Sequence, residues 1–274
     1  MKKVIPQSDW PESWQYSYTY DLLEIYGNFS DRGYVYAYKN RHQQILSFIQ
    51  KVAQPGAKIL DIAAAQGNFC LSLAELGYNV TWNDLRSELA GYVKSKWEFG
   101  QINYQPGNAF ELNIKDCFDV VLIAEVIEHV AHPNEFLKKV AQMVKPGGYI
   151  VLTTPNGGYL RNALPRFSDF SNTHQFEAIQ FQPNADGHIF LLHLDEVQSL
   201  AAQVGLEVEE ICLFNNPLTN GYLKLGGLLK ILPNSVVQMG EKLTGTLSQA
   251  LQKKIHTHLI ALLQRPDTVD GNDK

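Results

Sequence analysis

The segment from Lys58 to Leu73, KILDIAAAQGNFCLSL, constrains the fold more than any other part of the chain. An apolar strand pattern leads to Asp61, a turn of small residues follows, and a helical pattern begins at Asn68. A strand, a small-residue turn and a helix N-terminus form the nucleotide-binding corner of doubly wound α/β proteins. We therefore expect a parallel α/β sheet with a ligand pocket at the carboxyl end of this strand.

The charge at this corner restricts the ligand. Asp61 would repel an anionic pyrophosphate over a few ångströms, which argues against a nicotinamide or flavin dinucleotide. A cationic ligand suits the position, and S-adenosylmethionine carries an ammonium and a sulfonium. A second carboxylate, Asp84, ends the next apolar run. Its distance from Asp61 is close to the interval of about 20 residues at which an acid meets the ribose hydroxyls.

A second patterned region extends from Gly107 to Asn156. Residues 118–124, apolar except for Asp119, form a run typical of a buried parallel strand, and Pro133 stands where a helical pattern begins. The sequence Pro-Gly-Gly at 146–148 ends that helix, and residues 149–153 follow as another strand.

Together the two regions resemble the class I S-adenosylmethionine-dependent methyltransferases, whose first motif reads roughly D-x-G-x-G-x-G. That motif stands here as Asp61, Ile62, Ala63, Ala64, Ala65, Gln66 and Gly67. Alanines at 63 and 65 replace two glycines, and each methyl group both narrows the turn and disfavours positive φ. The resemblance implies a Rossmann-like sheet of seven strands, mostly parallel, with an antiparallel last strand.

The resemblance also implies the cofactor site. We expect Asp84 to accept hydrogen bonds from both ribose hydroxyls, Leu85 to pack on the adenine face, and Asn108 to accept from the adenine amino group. The full set of cofactor candidates is Asp61, Ala63, Ala65, Gln66, Gly67, Asp84, Leu85, Asn108, Ala109 and Glu125.

The acceptor side begins at the sequence EVIEHV, which places Glu125, Glu128 and His129 at i, i+3 and i+4. This resembles the ubiquinone-pathway O-methyltransferases and the small-RNA 2′-O-methyltransferases, where an ExxEH motif and a later histidine can bind a divalent metal. His188 is the candidate later histidine, and the four side chains would make a mixed oxygen and nitrogen site.

We prefer a different use of these side chains and assign no residue as a metal ligand. His129 or His188 would act as a general base toward an acceptor hydroxyl, since imidazole titrates near neutrality. The catalytic candidates are Glu125, Glu128, His129 and His188. A divalent metal is one alternative, and histidines that only bond to backbone are another.

Length and composition fit one α/β domain with additions. The chain has 274 residues, 45% of them hydrophobic, enough for a full core. We expect an aromatic N-terminal flap at 1–39, a methyltransferase domain at 40–265 with insertions at about 156–193 and 215–254, and a disordered tail at 266–274. The flap either closes over cofactor and acceptor as a lid or packs its rings on the domain's own surface.

Charge and hydropathy limit the partners. A net charge of −5 disfavours nucleic acid, so we expect no DNA partner. Three widely spaced cysteines predict free thiols, and the absence of a signal or membrane-spanning pattern predicts a cytoplasmic protein without stable membrane insertion. The apolar segment at 221–236 could touch a membrane or a lipid-like acceptor, or it could pack on the lid or on a second subunit. The last alternative would make the protein a homodimer.

The sequence thus predicts methyl transfer to an oxygen of a small molecule such as a sugar, a phenol or quinone-like compound, or a secondary metabolite. One alternative is methylation of an RNA 2′-hydroxyl. Another is a non-catalytic protein that binds S-adenosylmethionine or serves as a partner subunit, which the two alanines in the turn suggest.

Overall fold

The computed structural model describes residues 1–27, 30–112, 114–180, 187–217, 219 and 226–267. Its centre is a seven-stranded sheet with the strand order β3-β2-β1-β4-β5-β7-β6. β7 pairs antiparallel with both β5 and β6, and the other pairs are parallel. The strands are β1 (Lys58–Ile62), β2 (Asn79–Asn83), β3 (Gln101–Tyr104), β4 (Phe118–Ala124), β5 (Val144–Pro155), β6 (Glu207–Phe214) and β7 (His258–Gln264). The predicted fold, with its antiparallel last strand, is confirmed.

Helices connect these strands in the alternating order that the hydrophobic patterns predict. They are α1 (Glu12–Glu24), α2 (Arg32–Val52), α3 (Asn68–Glu75), α4 (Leu89–Lys96), α5 (Pro133–Met143), α6 (Leu194–Gln203), α7 (Gly226–Leu229), α8 (Asn234–Gly245) and α9 (Gln249–Ile255). Pro133 occupies the first turn of α5, where its missing N–H leaves no hydrogen bond unmade.

The core has two halves because neighbouring residues of a strand point to opposite faces of the sheet. On β1, Leu60 and Ile62 pack with α5 and α6, whereas Ile59 packs with α2, α3 and α4. Burial on both faces explains why β4 is apolar throughout from Val120 to Ala124. This double layer fixes the carboxyl ends of β1, β2 and β4 at one edge of the sheet.

Two local expectations differ from the structure. The residues Pro146 to Gly148 lie inside β5, which starts at Val144, and a register shift between Phe118 and Val120 accommodates them. The amphipathic pattern predicts a scaffold helix from Arg41 to Ala53, but the observed α2 starts nine residues earlier, at Arg32. Asp31 accepts a hydrogen bond from the Tyr34 N–H, so an N-cap sets this start.

The later segments are described in part. Of the predicted apolar segment 221–236, residues 221–225 lie outside the described residues, and α7 and the start of α8 cover much of the rest. Most of the predicted tail at 266–274 and Phe29 of the flap also lie outside them. Within the described ranges, no helix has both the length and the hydrophobicity needed to cross a bilayer.

Candidate active site

Asp61 lies at the end of β1 with 1% of its surface exposed. Its Oδ2 accepts a hydrogen bond of 3.1 Å from the Cys70 thiol, which is a weak donor. Burial, with a smaller contribution from the nearby charge of Asp84, raises the pKa of Asp61 to about 7. The site therefore holds an acid whose charge is poorly compensated by the protein.

The turn after Asp61 is held in the left-handed region. Ala63 has φ 56°, Ala65 has φ 46° and Gly67 has φ 71°. Alanine adopts this region at a cost of roughly 1–2 kcal/mol per residue. At Gly67 a Cβ atom would lie 2.7 Å from both methyl groups of Val93, so only glycine fits there.

Hydrogen bonds from β2 impose this conformation. The Ala65 N–H donates to Asp84 Oδ2 over 2.9 Å, and the Trp82 indole N–H donates to the Ala65 carbonyl over 3.0 Å. Arg86 binds the same Asp84 carboxylate through its backbone N–H and its guanidinium. The turn that follows Asp61 is thus hydrogen-bonded directly to Asp84.

A cavity of ≈130 Å³ opens at this corner. The end of β1, the turn at 63–66 and the end of β4 form one side of it. Side chains of the N-terminal helices form the other: Glu24 of α1 and Tyr38 and Arg41 of α2, with Asn68 and Phe69 of α3 also in the lining. The N-terminal helices therefore help to enclose the predicted cofactor corner.

Glu125 follows β4 and faces this cavity with φ 57°. Its Oε2 lies 3.1 Å from an Arg41 guanidinium nitrogen and 3.3 Å from His258 Nε2 of β7. Burial by itself would raise the pKa of Glu125, but Arg41 and then His258 outweigh it and lower that pKa. Glu125 is thus a charged anchor between α2, β4 and β7.

Glu128 has no exposed surface and the opposite electrostatic behaviour. Burial and then the charge of Glu125 raise its pKa well above the ordinary value. Its Oε2 accepts a hydrogen bond of 3.0 Å from the Thr154 hydroxyl, whereas Oε1 is buried without a hydrogen-bond partner in the described part of the chain. Glu128 is therefore a neutral acid beside a charged one.

The two candidate histidines lie together. The rings of His129 and His188 meet edge to face with centroids 4.9 Å apart. One ligating atom from each, together with one from Glu128, lie within 4.8 Å of one another. The Ile189 N–H donates 2.8 Å to the Glu128 carbonyl and so fixes the segment that carries His188. The Glu-His dipeptide of the motif and the later histidine, which are far apart in the sequence, thus lie in one cluster.

The residues predicted for the adenosine side lie at the ends of β2 and β3. Leu85 is 57% exposed, and Ala109 is buried at the start of a 3₁₀ turn. The Asn108 carbonyl oxygen accepts from the Phe110 N–H, and its amide donates to Glu111. Asn108 therefore already caps the turn on which the adenine is expected to rest.

A buried polar network lies behind the cavity wall. Lys96, which has no exposed surface, donates to Asp21 and to the Asn68 side-chain oxygen, both over 2.7 Å. The Asn68 amide donates to Asp21 and Glu24, and Gln66 also donates to Glu24. The network fastens α1 to α3, α4 and the motif turn.

Sequence reasoning assigned no individual site role to Arg41, Tyr38, Glu24 or His258, although Tyr38 and Glu24 lie in the flap at 1–39 that was one candidate for a lid. Arg41, Tyr38 and Glu24 come from the N-terminal region, where the many aromatic residues indicate ring packing and no polar site. The amphipathic pattern that starts at Arg41 predicts only a scaffold helix. One signal was available for His258. Because β7 is antiparallel, its first residue lies at the carboxyl edge of the parallel strands, where ligands bind.

Comparisons with known proteins agree with this geometry. Residues 36–211 match the methyltransferase-domain family. A ubiquinone biosynthesis O-methyltransferase from Rhizobium leguminosarum bv. trifolii is 31% identical over 62% of this chain and 68% of that protein. One of the same name from Maricaulis maris is 40% identical over 37% of this chain, and the match spans 41% of that protein's length.

A solved structure has the same fold at low identity. An S-adenosylmethionine-dependent methyltransferase from Mesorhizobium loti superposes with a TM-score of 0.53 at 15% identity, covering 80% of this chain and 96% of that one. The fold and the acidic corner at β1 define a class of enzyme, the S-adenosylmethionine-dependent methyltransferases. The chain belongs to its methyltransferase-domain family.

Proposed function

We propose that the protein transfers a methyl group from S-adenosylmethionine to a hydroxyl of a small phenolic, quinone-like or sugar acceptor. The observation that carries the proposal is the cluster of Glu128, His129 and His188 beside the cavity that contains Glu125. Relatives named ubiquinone biosynthesis O-methyltransferase support oxygen as the accepting atom. The net charge of −5 supports a small acceptor over a polyanion.

The cofactor occupies the corner between β1 and β2 in this proposal. Asp61 receives the cationic end, and Asp84 accepts the ribose hydroxyls, while Gln66, Gly67, Leu85, Asn108 and Ala109 complete the pocket. Methyl transfer from a sulfonium is an in-line displacement, so the protein chiefly aligns the reacting atoms and excludes water. The left-handed turn and the helices α1 and α2 support both roles.

One histidine of the pair removes the acceptor proton. A phenol titrates near pH 10 and an imidazole near pH 6.5, so a histidine in contact with the hydroxyl can accept the proton as the oxygen attacks. Glu125 forms an ion pair with Arg41. The backbone carbonyl of Glu128 accepts the Ile189 N–H and so supports the segment that carries His188. These two glutamates are positioning residues.

The same cluster fits a divalent metal. Once ionised, Glu128 would offer a carboxylate oxygen that is buried and has no hydrogen-bond partner among the described residues, and one ligating atom each of Glu128, His129 and His188 lie within 4.8 Å of one another. Such an ion would polarise the acceptor hydroxyl and lower its pKa. Glu125 lies outside this group of close ligating atoms, and its Oε2 is paired with Arg41 and His258, so a ligand set would comprise the other three residues.

Single-turnover methylation tests the proposal. The probe is radiolabelled S-adenosylmethionine with a panel of catechols, simple phenols and sugars, and the proteins are the wild type, His129→Ala and His188→Ala. We expect at least one variant to lose about 10²–10⁴-fold in rate while its cofactor affinity is unchanged. The matching glutamine variant should stay slow, because glutamine can hydrogen-bond but cannot accept the proton. Near-normal rates in both alanine variants would refute the general base.

A further inference from the structure

A second cluster of metal-ligating side chains lies next to the site. His132 Nε2 is 2.6 Å from Glu177 Oε1, and His174 Nδ1 is 2.7 Å from the same oxygen. The two imidazole rings meet edge to face with centroids 5.0 Å apart. One ligating atom from each of the three residues lie within 4.8 Å of one another. None of these residues belongs to the ExxEH motif.

We propose that His132, His174 and Glu177 bind a zinc-type divalent cation that fastens the segment 167–177 to the start of α5. Two imidazoles and one carboxylate are a ligand set that suits Zn²⁺ and leaves a fourth position for water. Mg²⁺ and Ca²⁺, which favour oxygen ligands, suit it poorly. The site is independent of the identity of the methyl acceptor.

The distances need only a small adjustment for an ion. Ligand atoms about 2.0–2.1 Å from a tetrahedral zinc lie roughly 3.3 Å from one another. The nitrogen–oxygen separations in the cluster, 2.6 and 2.7 Å, would have to widen by about 0.6–0.7 Å each. His174 and Glu177 are 72% and 47% exposed, so their side chains can make this movement without repacking a core.

The least exposed ligand is already oriented. His132 caps α5 directly before Pro133, and its neighbour Ala131 is fully buried. The buried Thr173 hydroxyl contacts His132 Nδ1 at 2.9 Å, which leaves Nε2 directed at the other two ligands. A partner on the second ring nitrogen is the usual way in which proteins fix a metal-binding histidine.

The position of the cluster gives the cation a consequence for the active site. Phe176 lies between the ligands His174 and Glu177 in the chain and packs edge to face on Phe190, at 5.1 Å between centroids. Phe190 follows Ile189, whose N–H binds the Glu128 carbonyl. A bound cation would therefore stabilise the wall that carries His188, through a small aromatic core.

The test is a metal titration of chelator-treated full-length protein. To remove the other cluster, we use the double variant His129→Ala/His188→Ala as the background. Co²⁺ serves as the probe because its visible absorption reports coordination, and Zn²⁺ competes for it. We expect about one equivalent of Co²⁺ in this background. His174→Ala and Glu177→Gln should abolish it or weaken it at least tenfold, and Thr173→Val should weaken it about 10–100-fold.

The controls are Gln175→Ala in the same 3₁₀ turn and Glu135→Gln on α5, both exposed and outside the cluster. Neither should change Co²⁺ affinity. Thermal unfolding gives a second readout: Zn²⁺ should raise the Tm of the background protein and not that of its His174→Ala derivative. The proposal is overturned if the background binds no Co²⁺, or if His174→Ala and Glu177→Gln bind it as tightly as the controls do.

Discussion

The raised pKa of Asp61 predicts that cofactor binding depends on pH near neutrality. The shift from the ordinary value of 3.8 to about 7 corresponds to roughly 4 kcal/mol of unfavourable burial for the charged form. Below the ordinary value both the folded and unfolded chains are protonated. Between the two values the folded chain holds a proton that the unfolded chain releases, so the free energy of unfolding falls as pH rises through this window.

Binding of a cationic ligand should select the ionised form of Asp61. With a pKa of about 7, roughly a tenth of the carboxyls are ionised at pH 6 and three quarters at pH 7.5. The affinity for S-adenosylmethionine should therefore be roughly eightfold weaker at pH 6 than at pH 7.5, with a proton released on binding. Asp61→Asn should bind weakly at both values and without that dependence.

The substitution should affect stability in the opposite direction. Asp61→Asn removes an ionised buried group at pH 8 and loses the hydrogen bond from Cys70, worth about 1 kcal/mol. We expect the ligand-free variant to gain about 2–3 kcal/mol in free energy of unfolding at pH 8. At pH 4 most of this gain should vanish, because position 61 is then neutral in both folded proteins.

Calorimetric titration in two buffers of different ionisation enthalpy measures affinity and proton release together, and urea unfolding measures stability. Asp119→Asn is the matched control, because Asp119 lies on β4 at the opposite edge of the sheet and pairs with Lys145. Equal cofactor affinity of the wild type at pH 6 and 7.5, or an Asp61→Asn protein less stable than the wild type at pH 8, would refute the reasoning.

Three further predictions concern the cavity walls. Lys96→Met leaves the buried charge of Asp21 without its cation and the Asn68 side-chain oxygen without a donor, and it should lower the free energy of unfolding by about 3–5 kcal/mol in urea; a loss under about 1 kcal/mol would contradict it. Ala65→Gly relieves φ 46° and should raise that free energy by up to about 1 kcal/mol, whereas Ala64→Gly should lower it; the reverse order would show an unstrained turn. Arg41→Met removes the main cause of the lowered Glu125 pKa. In the wild type, the lowered pKa of Glu125 contributes stability at pH values above the ordinary pKa near 4.5, and this stability is lost as pH falls through the lowered pKa. The variant lacks this contribution, so its acid unfolding should begin at a higher pH than that of the wild type. An unchanged onset of acid unfolding would contradict the ion pair.

Local patterns predicted the sheet because each strand carries its own signal. β1, β2 and β4 begin and end where the apolar runs do, and the parallel arrangement then brings Asp61 and Asp84 to one edge. The bond between the Ala65 N–H and Asp84 follows from that register. The positions of motif residues such as Asp61 and Asp84 were predictable because each depends only on where one strand ends and on the turn that follows it.

Contacts between distant segments were not predictable in this way. Arg41 reaches Glu125 because a capped α2 crosses the carboxyl edge of the sheet, and His258 arrives there from the far end of the chain. No periodicity in either segment indicates an ion pair. The same holds for Lys96, which a helical pattern would assign to solvent but which the network around Asp21 buries.

These long-range contacts explain how the corner tolerates its own strain. Ala63 and Ala65 in the left-handed region, a carboxyl with a pKa near 7 and a second acid held neutral beside a charged one all destabilise the ligand-free protein. Opposing this, α1 and α2 cover the corner and fasten to it by the Lys96 network and by the Arg41 ion pair. Because the cofactor's positive charge would relieve the poorly compensated Asp61, binding should stabilise these helices more than the rest of the domain. Amide exchange in α1 should therefore slow on addition of S-adenosylmethionine, and that slowing should be lost in Asp61→Asn.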